Sequence, residues 1–184
     1  MKFNRLIFLL FSIVLLAFIF KFWNFPSRYG IGYDGSRDAI VSYEAKSQLQ
    51  LPLTGSFSSI GPITFGPWYY WYITTANFLI PSIWAPWISI SLASLGMIFL
   101  MYLIGKKLVS VKFGLILASL AAISPAQIVA SVNLQQHALV GFFTSLSIYL
   151  FLILLKEKSN KISLFFGFVI GIAFNAHQEN FFWL

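Results

Sequence analysis

Six consecutive residues, Tyr33-Asp34-Gly35-Ser36-Arg37-Asp38, hold two of the chain's five carboxylates, four positions apart. With 59% of residues hydrophobic and only 9% charged, paired acids beside lipid call for a task. Apolar surroundings raise a carboxyl pKa by desolvation, which suits a general base, whereas Arg37 lowers it again; the residues alone leave that balance open. Gly30, Gly32 and Gly35 let the backbone approach a ligand closely. The plainer reading makes Asp34 the N-cap of the helix that follows. Asp38 shares a face with Asp34 if the helix has begun by then. Two such acids, with water and phosphate oxygens, suit a divalent cation, and they equally suit an ion pair centred on Arg37.

A second polar group closes an apolar run that opens at Ile162. Counting from Lys161, about 15 to 18 helical residues rise about 23–27 Å and carry His177, Gln178 and Glu179 to the membrane face that holds Asp34. Gln136 and His137 enter another apolar run from that same face. Ionisable groups at the edges of membrane spans are functional candidates by default. Asp34, Asp38, His137, His177 and Glu179 are therefore expected around one outward-facing cavity. Either histidine alone reads as readily as a bond between neighbouring helices.

The elements that must position these residues are transmembrane. Soluble domains are typically about 25% charged, far above this chain. Six Trp and eight Tyr suit the headgroup level of a bilayer. The net charge of +7 sits at the ends of hydrophobic runs, not in a patch, which argues against nucleic acid. With no cysteine, disulfides and thiolate metal sites are excluded. Lys2 and Arg5 followed by an apolar run resemble a signal peptide. No small-residue cleavage site follows, so an uncleaved anchor is expected.

Spans of about 20 apolar residues are read at residues 3–23 (with Lys21 snorkelling to the interface), 87–105, 113–132 (kinked at Pro125), 138–155 and 162–180. Lys2, Arg5, Lys106, Lys107, Lys112, Lys156, Lys158 and Lys161 then fall on one side, which the positive-inside rule makes cytoplasmic. Asp34, Asp38, Glu44 and Glu179 fall outside and only Glu157 inside. Pro67 to Ile80 is aromatic, short and bracketed by prolines. It is read as a helix lying in the interface or re-entering shallowly, since a crossing there would turn six lysines outward. The residues from 24 to 86 thus form a long outer loop. Within it Arg37 to Gln50 is helical, with Ala39, Ile40, Tyr43 and Leu49 on its apolar side. Gly167 and Gly171 suggest close helix packing. The fold class is an all-α polytopic membrane protein.

A cytoplasmic amino terminus, one span and a long outer loop opening on an Asp resemble the GT-C glycosyltransferases. The likeness is to the family 39, protein-mannosyltransferase-like and aminoarabinose-transferase-like branch of bacterial membranes. Gly32-Tyr33-Asp34-Gly35-Ser36-Arg37-Asp38-Ala39 is similar to that branch's first-loop acidic motif. Phe65-Gly66-Pro67-Trp68-Tyr69-Tyr70-Trp71 is similar to its proline-aromatic segment, and Ile123-Ser124-Pro125 and Gly171 to Gln178 fit its layout. The resemblance implies a GT-C-like bundle of about five spans, and inverting sugar transfer from a polyprenyl-phosphate donor at the outer face of the plasma membrane. The acceptor would be a glycan, lipid or protein. It puts Asp34 in the place of the catalytic base, Arg37 and Asp38 in orienting roles, and Tyr69 and Tyr70 along the site. Two departures stand out: Gly66-Pro67 replaces the usual Pro-Pro, and His177-Gln178 replaces a basic residue expected to meet donor phosphate. Family members are several hundred residues long, so an amino-terminal portion of such a domain is expected here.

Two other functions compete: a transporter or flippase-like subunit that handles lipid-linked glycans, and a non-catalytic assembly component. Transport calls for discontinuous helices and charges near the bilayer midplane. Here the ionisable groups lie at the outer edge, which favours surface chemistry.

Overall fold

The computed structural model describes residues 2–58 and 62–176, and among them no β-strand forms. Helix α1 (Lys2–Phe22) is followed by the short α2 (Phe25–Arg28), α3 (Tyr33–Gln48) and α4 (Trp68–Leu79). Next come α5 (Ala85–Leu108), α6 (Val111–Ile123) and α7 (Pro125–Ala130). A 3-10 turn (Gln136–Leu139) leads into α8 (Val140–Glu157), and α9 (Asn160–Ala176) follows. Three stretches are long and apolar enough to cross a membrane: Arg5–Phe22, Ala85–Leu108 and Gln136–Glu157. The protein is an all-α membrane protein.

Where a span was read over residues 113–132, the structure has two helices. Ser124 is extended at φ −62° and ψ 116°, and Pro125 opens α7. Proline pushes its predecessor out of the helical region and is at home in a helix's first turn, so the chain breaks there. Helix α4 has 12 residues, a rise of about 18 Å, too short to cross. It does not simply float at the surface, because Tyr69, Tyr70, Ile73, Thr74, Ala76 and Asn77 are buried against its neighbours.

Two packing solutions hold the bundle. Helices α5 and α6 cross closely at Gly105 and Gly114: a Cβ on Gly105 would lie 2.7 Å from the Gly114 Cα. Beside them Ala17 of α1, Ile98 of α5 and Ala118 and Ala122 of α6 form one small core. Small residues let helices approach where lipid supplies no hydrophobic drive. The larger core gathers Phe25, Ala39, Tyr69, Tyr70, Ile73, Trp87, Ile90, Val132, Leu134 and Leu139 directly beneath the acidic segment.

Three expectations fail here. Lys21 does not snorkel: it is 0% exposed, its Nζ donating to Ser94 Oγ at 2.8 Å and to the Gln127 carbonyl at 3.3 Å. Those acceptors, on α5 and α7, replace the water it would otherwise seek. Helix α3 splits its expected apolar side: Ala39 turns inward with Gly35, Asp38, Ser42 and Ala45, while Ile40 and Leu49 are 55% and 81% exposed. The small and polar side chains, which can pack closely and bond to α4, are the ones that face in. Asn77 donates from Nδ2 to Ser42 Oγ, and Lys46 Nζ donates to the Asn77 carbonyl at 2.5 Å. Finally, a Cβ at Gly167 or Gly171 would meet nothing within 4 Å among the described residues, so that glycine pair packs no helix there.

Candidate active site

Helix α3 begins at Tyr33, four residues before the periodicity suggests, with extended Gly32 as its N-cap. Asp34 therefore does not cap the helix. It occupies the first turn, where the helix dipole favours negative charge. The Arg37 guanidinium, one turn on, joins both acids. Its Nη1 donates to Asp34 Oδ1 at 2.9 Å, its Nε to Asp38 Oδ1 at 2.9 Å, and its Nη2 lies 2.7 Å from that same oxygen. The Tyr70 hydroxyl also donates to Asp38 Oδ1, at 3.0 Å.

The two acids differ sharply in exposure: the Asp34 side chain is 54% exposed and that of Asp38 1%. The desolvation that would suit a base thus falls on Asp38, not on the base candidate Asp34. Asp38 Oδ2 and the Tyr69 hydroxyl are both buried with no hydrogen-bond partner among the described residues. No bond of normal geometry joins them, yet each lies in the other's field.

Burial dominates the proton affinities. Desolvation raises the Asp38 pKa above the ordinary aspartate value, although Arg37, Tyr70 and Tyr69 all favour its ionised form. For Arg37 burial works the other way, but the hydrogen bond and charge of Asp38 outweigh it and hold the guanidinium protonated. Since arginine stays charged, the contest within the pair is decided at Asp38. Burial and then the Asp38 charge push Tyr70 up to about 12, and the same two causes, in the same order, raise Tyr69.

The cluster rests on the segment that follows α7. Gly30 N–H donates to the Val132 carbonyl at 3.1 Å, and a Cβ on Gly35 would come within 3.1 Å of the Leu134 carbonyl oxygen. Ser91 Oγ of α5 fixes that segment by donating to the Ser131 carbonyl at 2.6 Å. Farther along it, Gln136 is buried and bonded through Nε2 to Ser56 Oγ, while His137 stands exposed on the 3-10 turn. His177, Gln178 and Glu179 lie outside the described residues. Just before them, the Asn175 side chain fills the space where Gly66 would carry a Cβ. The end of α9 thus meets the Gly66-Pro67 turn ahead of Tyr69 and Tyr70. One buried oxygen on each amide, Gln136 Oε1 and Asn175 Oδ1, has no partner among the described residues. Sequence patterning puts Gln136 at this face but gives Asn175 and Ser56 no role there. Only the glycine opposite Asn175 hinted at so close an approach.

A cleft of about 680 Å3 opens beside this end, between α4, α5, α8 and α9, with Trp68, Tyr69, Leu139, Phe143 and Ile172 among its walls. A divalent cation does not fit the acids as they stand. Arg37 already occupies the ground between them, and among the described residues no three His, Asp or Glu side chains cluster.

Helices that cross a bilayer, with charged and aromatic groups gathered where they emerge, define an integral membrane protein built around a surface site. Residues 64–183, well over half of the chain, match the family model described as dolichyl-phosphate-mannose-protein mannosyltransferase, and the chain belongs to that family of membrane glycosyltransferases. The matched stretch includes Tyr69 and Tyr70 and starts after Asp34, Arg37 and Asp38. No curated protein and no solved structure matches the chain.

Proposed function

We propose that this protein transfers a sugar from a polyprenyl-phosphate-linked donor to an acceptor hydroxyl at the outer membrane face, with Asp34 as general base. The family supports a sugar carried on a lipid phosphate, and the basic residues at the opposite helix ends support a cytoplasmic amino terminus. The acceptor is a glycan, lipid or protein hydroxyl.

The observation that carries the reading is the division of labour between the two acids. Arg37 is anchored by buried Asp38 and Tyr70 and holds one oxygen of Asp34, whose half-exposed carboxylate stays open to an incoming hydroxyl. In the transfer, the acceptor oxygen bonds to the sugar's anomeric carbon as the bond from that carbon to the phosphate oxygen breaks. Asp34 takes the hydroxyl proton, the donor phosphate leaves with the bonding pair, and attack from the opposite side inverts the anomeric centre. Tyr69 and Tyr70 wall the site, and His137, His177, Gln178 and Glu179 are assigned to the substrate-binding rim.

A general base contributes about 10²–10⁴-fold to rate. Asp34→Asn in the full-length protein should lose that much transfer from native membrane donor lipid, with expression and insertion unchanged. Undiminished turnover in that variant would remove Asp34 from the mechanism.

A further inference from the structure

At the end of the bundle away from α3, α1 and α6 lie side by side and run the same way. Arg5 and Lys112 share one end of the pair, and Ala17 packs with Ala118 and Ala122 toward the other. Between them opens a groove of about 570 Å3 lined by Arg5, Leu6, Leu9, Lys112, Leu115 and Ile116. Both cations are exposed, and among the described residues the ion pairs are those of Arg37 with Asp34 and Asp38. Lys106 and Lys107 in the last turn of α5 add to the positive field at this end.

We propose that this groove binds an anionic phospholipid, its phosphate held between Arg5 and Lys112 and an acyl chain laid along Leu6, Leu9, Leu115 and Ile116. A guanidinium and an ammonium together match a phosphate in charge and in hydrogen-bond donors. Basic pockets between membrane helices suit anionic headgroups, and a zwitterionic lipid would bring its own ammonium into an already positive field. Four aliphatic walls behind the cations ask for a hydrocarbon tail, which a free phosphate ion lacks. A further protein helix seated there would bury two cations unless it brought carboxylates to meet them. The site is independent of the chemistry proposed at Asp34.

The test uses the full-length protein extracted from vesicles of equal phosphatidylglycerol and phosphatidylethanolamine, with the retained lipid measured by native mass spectrometry. Phosphatidylglycerol should be enriched at least fivefold over phosphatidylethanolamine. The enrichment should fall to near parity in the Arg5→Gln/Lys112→Gln variant and persist in Lys158→Gln. Leu9→Trp keeps both cations, and with them the charge pattern that guides insertion. It should also lower retention, by filling the apolar part of the groove. Undiminished enrichment in the double variant overturns the proposal. So does an equal loss in Lys158→Gln, which would mean diffuse surface attraction. Full displacement by millimolar inorganic phosphate would also overturn it, as the mark of an ion site with no use for a tail.

Discussion

At the acidic helix one arginine serves two carboxylates, and one of these is 1% exposed; between α1 and α6 two cations stand exposed, in no ion pair among the described residues. The first region spends its charge internally. Arg37 and Tyr70 both bond to Asp38 Oδ1, and the chain around them is pinned by the Gly30 N–H to the Val132 carbonyl and the Ser91 hydroxyl to the Ser131 carbonyl. The second leaves its charge facing outward, available to whatever the bilayer offers. A buried, mutually bonded cluster fixes positions to within a bond length, which catalysis needs. An exposed pair fixes only a field, which suffices for holding a lipid.

That contrast can be broken in several ways, and the largest effect belongs to the reacting group. If Asp34→Asn and Asp38→Asn are compared for transfer, only the former should show the full loss of about 10²–10⁴-fold. A larger loss at Asp38 would reverse the assigned roles. Next in size is packing under the site. Gly55→Ala drives a Cβ into the backbone of Phe65 and Gly66, which cannot yield, and should cost about 1–3 kcal/mol in unfolding measured in detergent. For Gly66→Ala the nearest atoms belong to the end of the Asn175 side chain, which is flexible, so its cost should be smaller.

The buried acid also has a pH signature. Its folded-state pKa is raised, so the folded state binds the proton more tightly than the unfolded one. Stability is then full below the unfolded value, about 4. It declines as pH rises from there through the raised folded value. Asp38→Asn should flatten that slope in a thermal-unfolding series, and an unchanged slope would assign it to another group. Tyr70→Phe removes one hydrogen bond to the carboxylate and should cost about 1 kcal/mol. Smallest of all, Lys158→Gln at the exposed basic end should stay within about 0.5 kcal/mol.

Much of this was legible from residue types. Hydrophobic runs of membrane length located α1, α5 and α8. Two prolines bracketing an aromatic stretch marked α4 as too short to cross. The acidic motif announced itself by rarity, since so few carboxylates survive in so apolar a chain. The inward face of α3 was not legible, because the helix it bonds to, α4, lies some thirty residues along the chain. Ile40 and Leu49 stay exposed, and Asp38, Ser42 and Ala45 turn in to meet α4. Lys21 misled for a related reason: its neighbours in sequence are apolar, and its partners come from Ser94 and Gln127, far along the chain.

Residue chemistry by itself thus determined that this is a helical membrane protein with paired acids where the first span emerges. Those facts follow from hydrophobic length and charge count, which are local. Only the tertiary structure decided which acid is dried and which is open. Desolvation depends on what packs against a side chain. Here that includes Tyr69 and Tyr70, more than thirty residues away.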